Sequence, residues 1–480
     1  MNDFLRKVTE LVDRIESNNR WRQHQCINLI PSETTPSLLV KLCEIADPSG
    51  RYAEHRTMKG NEVYFYQGID FIRDVEEEAR QAICEFFNCS QAELRTISGQ
   101  MANEVVFKAV TKFVNQRDET LFERMRCVMN NDLGKGGHLS SQPMGALFNY
   151  VAPDPATGKE NCVNFPVRAD NPYKIDVPKM LELVREHRPD LVVFGKSMFI
   201  YREPVKALYD EVKDWEHRPV IMYDMAHVLG LYGAFQTPLE EGADIVTGST
   251  HKTFFGPQRG VIVSNMDKKT DFRKVWLEVK SRAFPGSTSN HHLGTLLALL
   301  MASIEMNTYK ETFQNQVRSN ARAFAKHLVA AGIDVEGDPS DGYTETHQVI
   351  LRTAKYGDGQ DIARRLEENN IICNYQALPD DDTFLSSSGL RMGVQEMTRY
   401  GMTESDFGPV AGFISDVVIR NKTVKPDVAA YRKNFLRQSF CLDPEDVTAL
   451  GSRILGTILP DRDYAKLFID RLNQIHTTLI

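Results

Sequence analysis

Lys252 stands at an unusual point of the 480-residue chain. It follows an apolar run, "ADIVTGS", and lies in "TGSTHKTFFGPQRG" among Ser, Thr and His. A lysine that leaves water loses most of its hydration, so it is seldom buried unless paired or chemically employed. Asp224, 28 residues earlier, closes a second apolar run, "PVIMYD". If both runs are strands of one parallel sheet, amine and carboxylate emerge at the same edge, where ligands of such sheets collect. A lone Asp at a strand end is ordinarily a cap or turn residue. An Asp and a Lys on one rim, each beside a histidine (His227 and His251), point to shared chemistry.

Pyridoxal phosphate needs such a set. A lysine forms the Schiff base, and an acid keeps the pyridine nitrogen protonated so that the ring withdraws electrons. Its phosphate needs backbone N–H groups, best supplied at a helix N-terminus. "ISGQMANEVVF" offers a turn into a helix with Ser98, Gly99 and Gln100 at the turn. Alone that tripeptide says little, because many turns contain Ser-Gly. In "GKGGHLSSQ", His138 follows two glycines, where an imidazole can lie flat on a ring or simply fill a structural role.

The elements that must position these groups follow from the hydrophobic pattern. "MNDFLRKVTELVDRIESNNRW" reads as a charged amphipathic helix, not a signal peptide. "CINLIPSETTPSLLVKL" reads as an extended piece, a polar turn and a helix; residues 70–88 have apolar positions at helical spacing. "RTIS" reads as a strand entering the Ser-Gly turn. "RCVMNND", "FNYVAP", "DLVVFGK", "PVIMYDM", "ADIVTGS" and "GVIVSN" read as short strands, most of them separated by helices. Strands apolar on both faces suit a largely parallel sheet covered by helices, an α/β fold. A long helix or helix pair from about residue 294 leads to "THQVILRT", "NIICNY" and "SGLRMGVQEM", an α+β pattern. The expected division is an N-terminal arm to 45, a large domain over 46–305, a small domain over 306–424, and a helical extension over 425–480. Asp443 reads as an N-cap with Pro444 at the first helical position.

Composition removes other classes. A net charge of -8 argues against nucleic acid as a partner, because phosphate affinity rests on excess Lys and Arg. The most apolar run, "LGTLLALLMASI", is too short to span a bilayer, so no membrane is expected and the protein reads as soluble and cytoplasmic. Eight scattered cysteines without a Cys-x-x-Cys pair read as buried reduced thiols, with no disulfide framework and no metal site.

"IPSETTP", "RYAEH", "FYQG", "SGQMAN", "GGHL", "DMAHVLGL", "ADIVTGSTHKTFFGPQRG" and "GLRMGVQEMTRYG" together resemble serine hydroxymethyltransferase over roughly residues 25 to 420. "DMAH" followed by "THKT-x-x-GP" carries most of the specificity. The resemblance implies a fold type I, aspartate-aminotransferase-like enzyme: a seven-stranded, mostly parallel sheet domain and a smaller α+β domain. Carried over by position, it implies Lys252 as the Schiff-base lysine and Asp224 as partner of the pyridine nitrogen. His138 would stack on the ring, Ser197 would bond the ring hydroxyl, and His227 would lie near ring oxygen and substrate, with His251 beside the lysine. Ser98, Gly99 and Gln100 would form the phosphate loop, although the family usually has a second Ser where Gln100 stands. Arg391 matches the arginine that receives the substrate carboxylate; its guanidinium fork suits a planar carboxylate as lysine would not. Ser32 matches a second carboxylate contact and also reads as an N-cap. Tyr66 and Glu54 match a tyrosine near the substrate and a glutamate of proton transfer, both reaching in from the neighbouring subunit. The resemblance thus implies a homodimer with shared active sites, or a tetramer. Four extra residues separate Glu54 from Tyr66 here.

The implied chemistry is cleavage or formation of the Cα–Cβ bond of β-hydroxy amino acids, with serine, threonine or glycine plus an aldehyde as substrates. Glu54 and His227 are both candidates for the base at the hydroxyl. Tetrahydrofolate is the expected one-carbon carrier: Leu133 and Leu139 match the apolar wall of its pocket, but "CNYQALPDD" has Gln376 where the family has an Asn. "THQVILRT" and "RMGVQEMTRYGM" are closer to the threonine transaldolase branch, which works without folate. Both readings stay open. A non-catalytic paralogue is disfavoured, because it has no need of Lys252, Asp224 and Arg391 together.

Overall fold

Seven strands run in the spatial order Gln91–Glu93, Gly260–Ser264, Ile245–Ser249, Val220–Asp224, Leu191–Gly195, Val128–Asn130 and Cys162–Asn164. Gly260–Ser264 pairs antiparallel with both neighbours, and the other pairings are parallel. The computed structural model describes residues 3–59, 61–117, 123–266, 272–382, 387–459 and 461–479.

Successive residues of each strand enter opposite cores. Leu191, Val193, Val220, Met222, Ile245 and Ile262 join one cluster with helices Gly99–Asn115 and Arg273–Ala283. Val192, Phe194, Ile221, Tyr223, Val246 and Val263 join the other, with helices Asp70–Phe87 and Leu293–Ala330. Burial on both faces explains why these strands read as unbroken apolar runs. Leu293–Ala330 is one helix of 38 residues, not a pair, and it runs through the boundary expected at 305/306. Beyond it, Gln348–Arg352, Gly389–Gly393 and Asn374–Gln376 form an antiparallel sheet with Gly389–Gly393 in the middle. Ile27–Asn28 pairs with Ile371–Ile372, tying the N-terminal segment to this region.

Several local expectations fail for identifiable reasons. "FNYVAP" is turn and bend, with Val151 making one isolated bridge to Met125. The edge strand is Cys162–Asn164, three residues of which none is buried, too short to show a pattern. "RTIS" is not a strand; the strand lies just before it, at Gln91–Glu93. Asp443 does take the N-cap position of the helix Pro444–Ile458 with Pro444 in its first turn, although its carboxylate accepts from Arg437 at 3.0 Å and not from the helix backbone. Ser32 is no N-cap; Ser37 caps the helix Leu38–Glu44. The eight cysteines are free, but Cys84, Cys89, Cys162, Cys373 and Cys441 are only half-buried. Among the described residues no helix is long and apolar enough to cross a membrane.

Candidate active site

The strands Leu191–Gly195, Val220–Asp224 and Ile245–Ser249 end side by side, with Asp224 opposite Gly195 and Thr247. Lys252 comes three residues beyond the third of them. Amine and carboxylate therefore share the rim that the sequence implied. Gly195 is required there, since a Cβ would come within 2.9 Å of Asp224 Cβ.

Asp224 is almost fully buried and accepts three hydrogen bonds: Asn103 Nδ2 at 2.8 Å, Ala226 N at 2.9 Å and His138 Nδ1 at 2.5 Å. Burial pushes its carboxyl up, but the charge and hydrogen bond of His138 and the N–H donors outweigh burial and hold it below the usual carboxylate range. It is an ionised acid inside a dry site. Asn103 is itself fixed, since Thr247 Oγ1 donates to its Oδ1 at 2.6 Å.

Burial lowers the Lys252 amine to about 8, partly opposed by Asp224 and assisted by Arg391. Its Nζ lies 3.3 Å from Nε2 of His227. Burial, then Lys252 and Arg391, push the His227 imidazole well below its ordinary value, so it is neutral and Nε2 accepts from the amine. Its Nδ1 has no hydrogen-bond partner in the structure. The His138 and His227 rings stand perpendicular, 5.1 Å apart. His251 is half-buried, lowered to about 4 by burial and then by Lys252, and its Nδ1 is also unpartnered.

Ser98 caps the helix Gly99–Asn115 by accepting from Met101 N at 3.1 Å. The N–H groups of Gly99 and Gln100 remain the outward donors of that first turn. A Cβ on Gly99 would fall 2.1 Å from Ser249 Oγ, so only glycine lets the helix end approach the lysine strand. Ser197 closes the other side: its N–H donates to Gly136 O at 2.9 Å, and its Oγ lies 3.4 Å from the carbonyls of Gly136 and Gly137.

Arg391 sits on the middle strand of the small sheet, opposite Ile350 and Asn374. It donates to Ser197 O at 2.7 Å and Asn374 Oδ1 at 3.3 Å. It is 7% exposed, has no carboxylate partner among the described residues, and is lowered to about 10 by burial. A desolvated guanidinium facing only neutral acceptors keeps its charge unbalanced and has donors to spare for an anion. Ser32 is half-buried on a segment sewn to the same place: Gly393 N donates to Leu29 O, Gln395 Nε2 to Ile30 O and Glu33 O, and Thr34 N to His251 O.

Glu54 and Tyr66 stand apart. Tyr66 Oη donates to Glu54 Oε2 at 3.4 Å, and the Tyr52 and Tyr66 rings are 5.4 Å apart. Neither makes a hydrogen bond to Lys252, His227 or Arg391 among the described residues.

The serine hydroxymethyltransferase family model matches residues 5–414. The chain belongs to the serine hydroxymethyltransferase family. A serine hydroxymethyltransferase of Staphylothermus marinus is 37% identical over 460 residues, covering 93% of this chain and 97% of that one. One from Sulfolobus acidocaldarius is 34% identical over 464 residues, covering 94% and 100%. Among solved structures, an L-threonine transaldolase from Pseudomonas fluorescens in its internal aldimine state superposes with a TM-score of 0.77 at 26% identity, covering 94% of this chain and 99% of that one.

As a serine hydroxymethyltransferase family member the chain is a pyridoxal-phosphate-dependent enzyme, and its residues fit that group: a buried ionised acid, a lysine near pH 8, unused helix N–H donors and orphaned imidazole nitrogens. Sequence reasoning missed two residues of the site. His347 is fully buried, donates from Nε2 to Pro31 O at 3.0 Å, and is lowered to about 3 by burial, with Arg391 and Lys252 contributing. Asn103 bridges Asp224 and Thr247. The signal for Asn103 was an amide one turn into a helix whose other inward positions are apolar; "THQVIL" offers no such contrast for His347.

Proposed function

We propose that the enzyme transfers the hydroxymethyl group between serine and glycine by breaking and forming the Cα–Cβ bond, with tetrahydrofolate as carbon carrier. The observation that carries this reading is Arg391, buried without a counter-charge beside the rim that bears Lys252.

Pyridoxal phosphate, when bound, supplies the electron sink for the carbon whose side-chain bond breaks. Lys252, neutral in part at physiological pH, is the amine that would hold it; Asp224 would pair with its ring nitrogen, and Ser98, Gly99 and Gln100 would take its phosphate. Arg391, with Ser32, fixes the amino acid by its carboxylate and so decides which bond at Cα is presented for cleavage. His227, neutral and bonded to Lys252, orients the amine by accepting its hydrogen bond at Nε2, with its own proton on Nδ1. The proton of the β-hydroxyl goes to Glu54, with Tyr66 beside it, delivered by a second copy of the chain in a homodimer.

Transaldol chemistry without folate is the second reading. It is favoured by a Lys135 Nζ hydrogen bond to Pro379 O, which ties the Leu133–Lys135 turn to the segment carrying Gln376, and by Leu139 being half exposed and not walled in. The likeness to the transaldolase structure supports it as well. One experiment separates the two: incubate with serine and with threonine, each with and without tetrahydrofolate, and measure the glycine formed. Folate-accelerated glycine formation from serine, with the one-carbon unit appearing on the carrier, supports transfer; glycine from threonine alone, indifferent to folate, overturns it.

A further inference from the structure

The extra residues between Glu54 and Tyr66 form a hairpin, His55–Met58 paired with Asn61–Tyr64; Gly60 lies outside the described residues. Within its two strands only His55 is buried. The space beneath is a cleft of about 690 Å³ lined by Glu62, Tyr64, Arg73 and Glu76, so little else presses the hairpin onto the domain. The half-buried Lys280 reaches Thr57 and Glu62 at 3.0 Å each. Surface contacts of that kind are screened and weak.

His55 is held on every side. Its ring stacks on Tyr64 with centroids 4.4 Å apart and planes 26° from parallel. Nδ1 faces the carbonyl of Ala53 at 3.1 Å, and Nε2 faces Glu76 Oε1 at 3.4 Å. The other Glu76 oxygen lies 3.4 Å from Nε2 of the buried His291. Burial works against the Glu76 charge, but His291, His55 and Arg95 outweigh it and hold the carboxyl down to about 2. Arg95, locked bidentately onto Glu93 at 2.8 and 2.6 Å, donates to the backbone carbonyl of His55 at 3.2 Å. Ring and carbonyl of one residue are thus both pinned to the large domain. The residue before it is Glu54, whose own carbonyl accepts from Phe65 N at 3.0 Å and closes the hairpin stem.

We propose that His55 is the positioning residue for Glu54: clamped by Glu76, Tyr64 and Arg95, it fixes the strand end from which the Glu54 carboxylate reaches the substrate hydroxyl. The inference rests on the reading of Glu54 as the proton acceptor. A 1 Å displacement of a reacting group costs up to about 100-fold in rate, so loosening this anchor should act on turnover and leave amino-acid affinity alone.

The experiment is a double-mutant cycle on the holoenzyme with His55→Phe, Glu54→Gln and the pair, measuring kcat for serine cleavage and the dissociation constant of glycine. His55→Phe keeps the stack on Tyr64 and removes both nitrogens. It should lower kcat about 10- to 100-fold with glycine affinity within about twofold, and it should cost less than about twofold more in the Glu54→Gln background. Wild-type turnover in His55→Phe, or a loss that multiplies in full on Glu54→Gln, overturns the proposal. Full activity of Glu54→Gln removes Glu54 from the chemistry and this proposal with it, a result distinct from the first. If His55→Phe loses its cofactor absorbance, Glu76→Gln replaces it in the same cycle, under the same criteria.

Discussion

Asp224 and Glu54 are both carboxylates assigned to one reaction, and they are held in opposite ways. Asp224 closes a buried strand, accepts three hydrogen bonds and is 1% exposed. Glu54 stands half-buried at the stem of an exposed hairpin, with one long contact to Tyr66. The rim groups are bonded to one another within one chain, and on our reading they hold a cofactor that stays. The hairpin stem is incomplete, because its groups are needed only when substrate is present and, on our reading, belong to a neighbour's site.

The largest expected effect falls on the rim. Lys252→Ala should lose the borohydride-sensitive visible absorbance of the bound cofactor and about 10³-fold or more of turnover, since Lys196, the lysine that follows the strand Leu191–Gly195 on the same edge, is tied to Glu203 at 2.5 Å and to Tyr173 O at 2.8 Å. The pH dependence follows from the amine. A lysine lowered from 10.5 to about 8 is charged below that value and neutral above it. Covalent capture of pyridoxal phosphate by the apoenzyme should therefore rise through pH 7–9 with a midpoint near 8 and level off above about 9. A midpoint near the ordinary lysine value would mean that the amine is not desolvated.

The second test attacks the contrast directly. Lys252→Ala should be inactive and Glu54→Gln slowed by about 100-fold or more but still measurable; mixed and allowed to exchange subunits, the two proteins should recover about a quarter of wild-type activity. Random pairing makes half the dimers mixed, and each mixed dimer has one site with both Lys252 and a partner's Glu54. No recovery would place Glu54 in its own chain's site or out of the chemistry.

The same contrast governs what was legible in the sequence. Asp224 and Lys252 could be read because one ends and the other closely follows a strand buried on both faces, and such runs fix which end a residue occupies. Arg391 needed the family motif, since nothing local says that its strand faces Ser197. Gln91–Glu93 and Cys162–Asn164 are sheet edges of three residues, too short to show a period. His347 was invisible because its role comes from Pro31, 316 residues away. The clamp around His55 joins residues 55, 76, 95 and 291 and has no local pattern at all.

Arg391→Ala should weaken glycine and serine binding by about 30-fold or more with cofactor content unchanged, because a charged bidentate contact to a desolvated partner typically costs about 2–5 kcal/mol. Arg391→Lys should recover little of this, since an ammonium cannot reproduce the fork. Unchanged amino-acid affinity in either variant would take Arg391 out of the site and leave its lack of a counter-charge unexplained.

The smallest effect concerns the carrier. Lys135 donates to the Pro379 carbonyl and so bridges the two walls between which Leu133, Leu139 and Gln376 would receive folate. A charged donor to a carbonyl is worth about 1.5–3 kcal/mol at most when buried, and Lys135 is only half-buried, so the tie should be weaker than that. If it narrows the slot, Lys135→Ala should raise tetrahydrofolate affinity by no more than about tenfold, with threonine cleavage within about twofold of wild type. If the amine instead lends its charge to the carrier's carboxylates, the same variant should weaken folate binding, and the weakening should fade as salt is raised. A titration of the wild type that stays flat up to millimolar tetrahydrofolate, and remains flat in Lys135→Ala, would show that Gln376 and the open Leu139 have lost the pocket. Lysine and carboxylate on the rim would then serve aldol exchange alone.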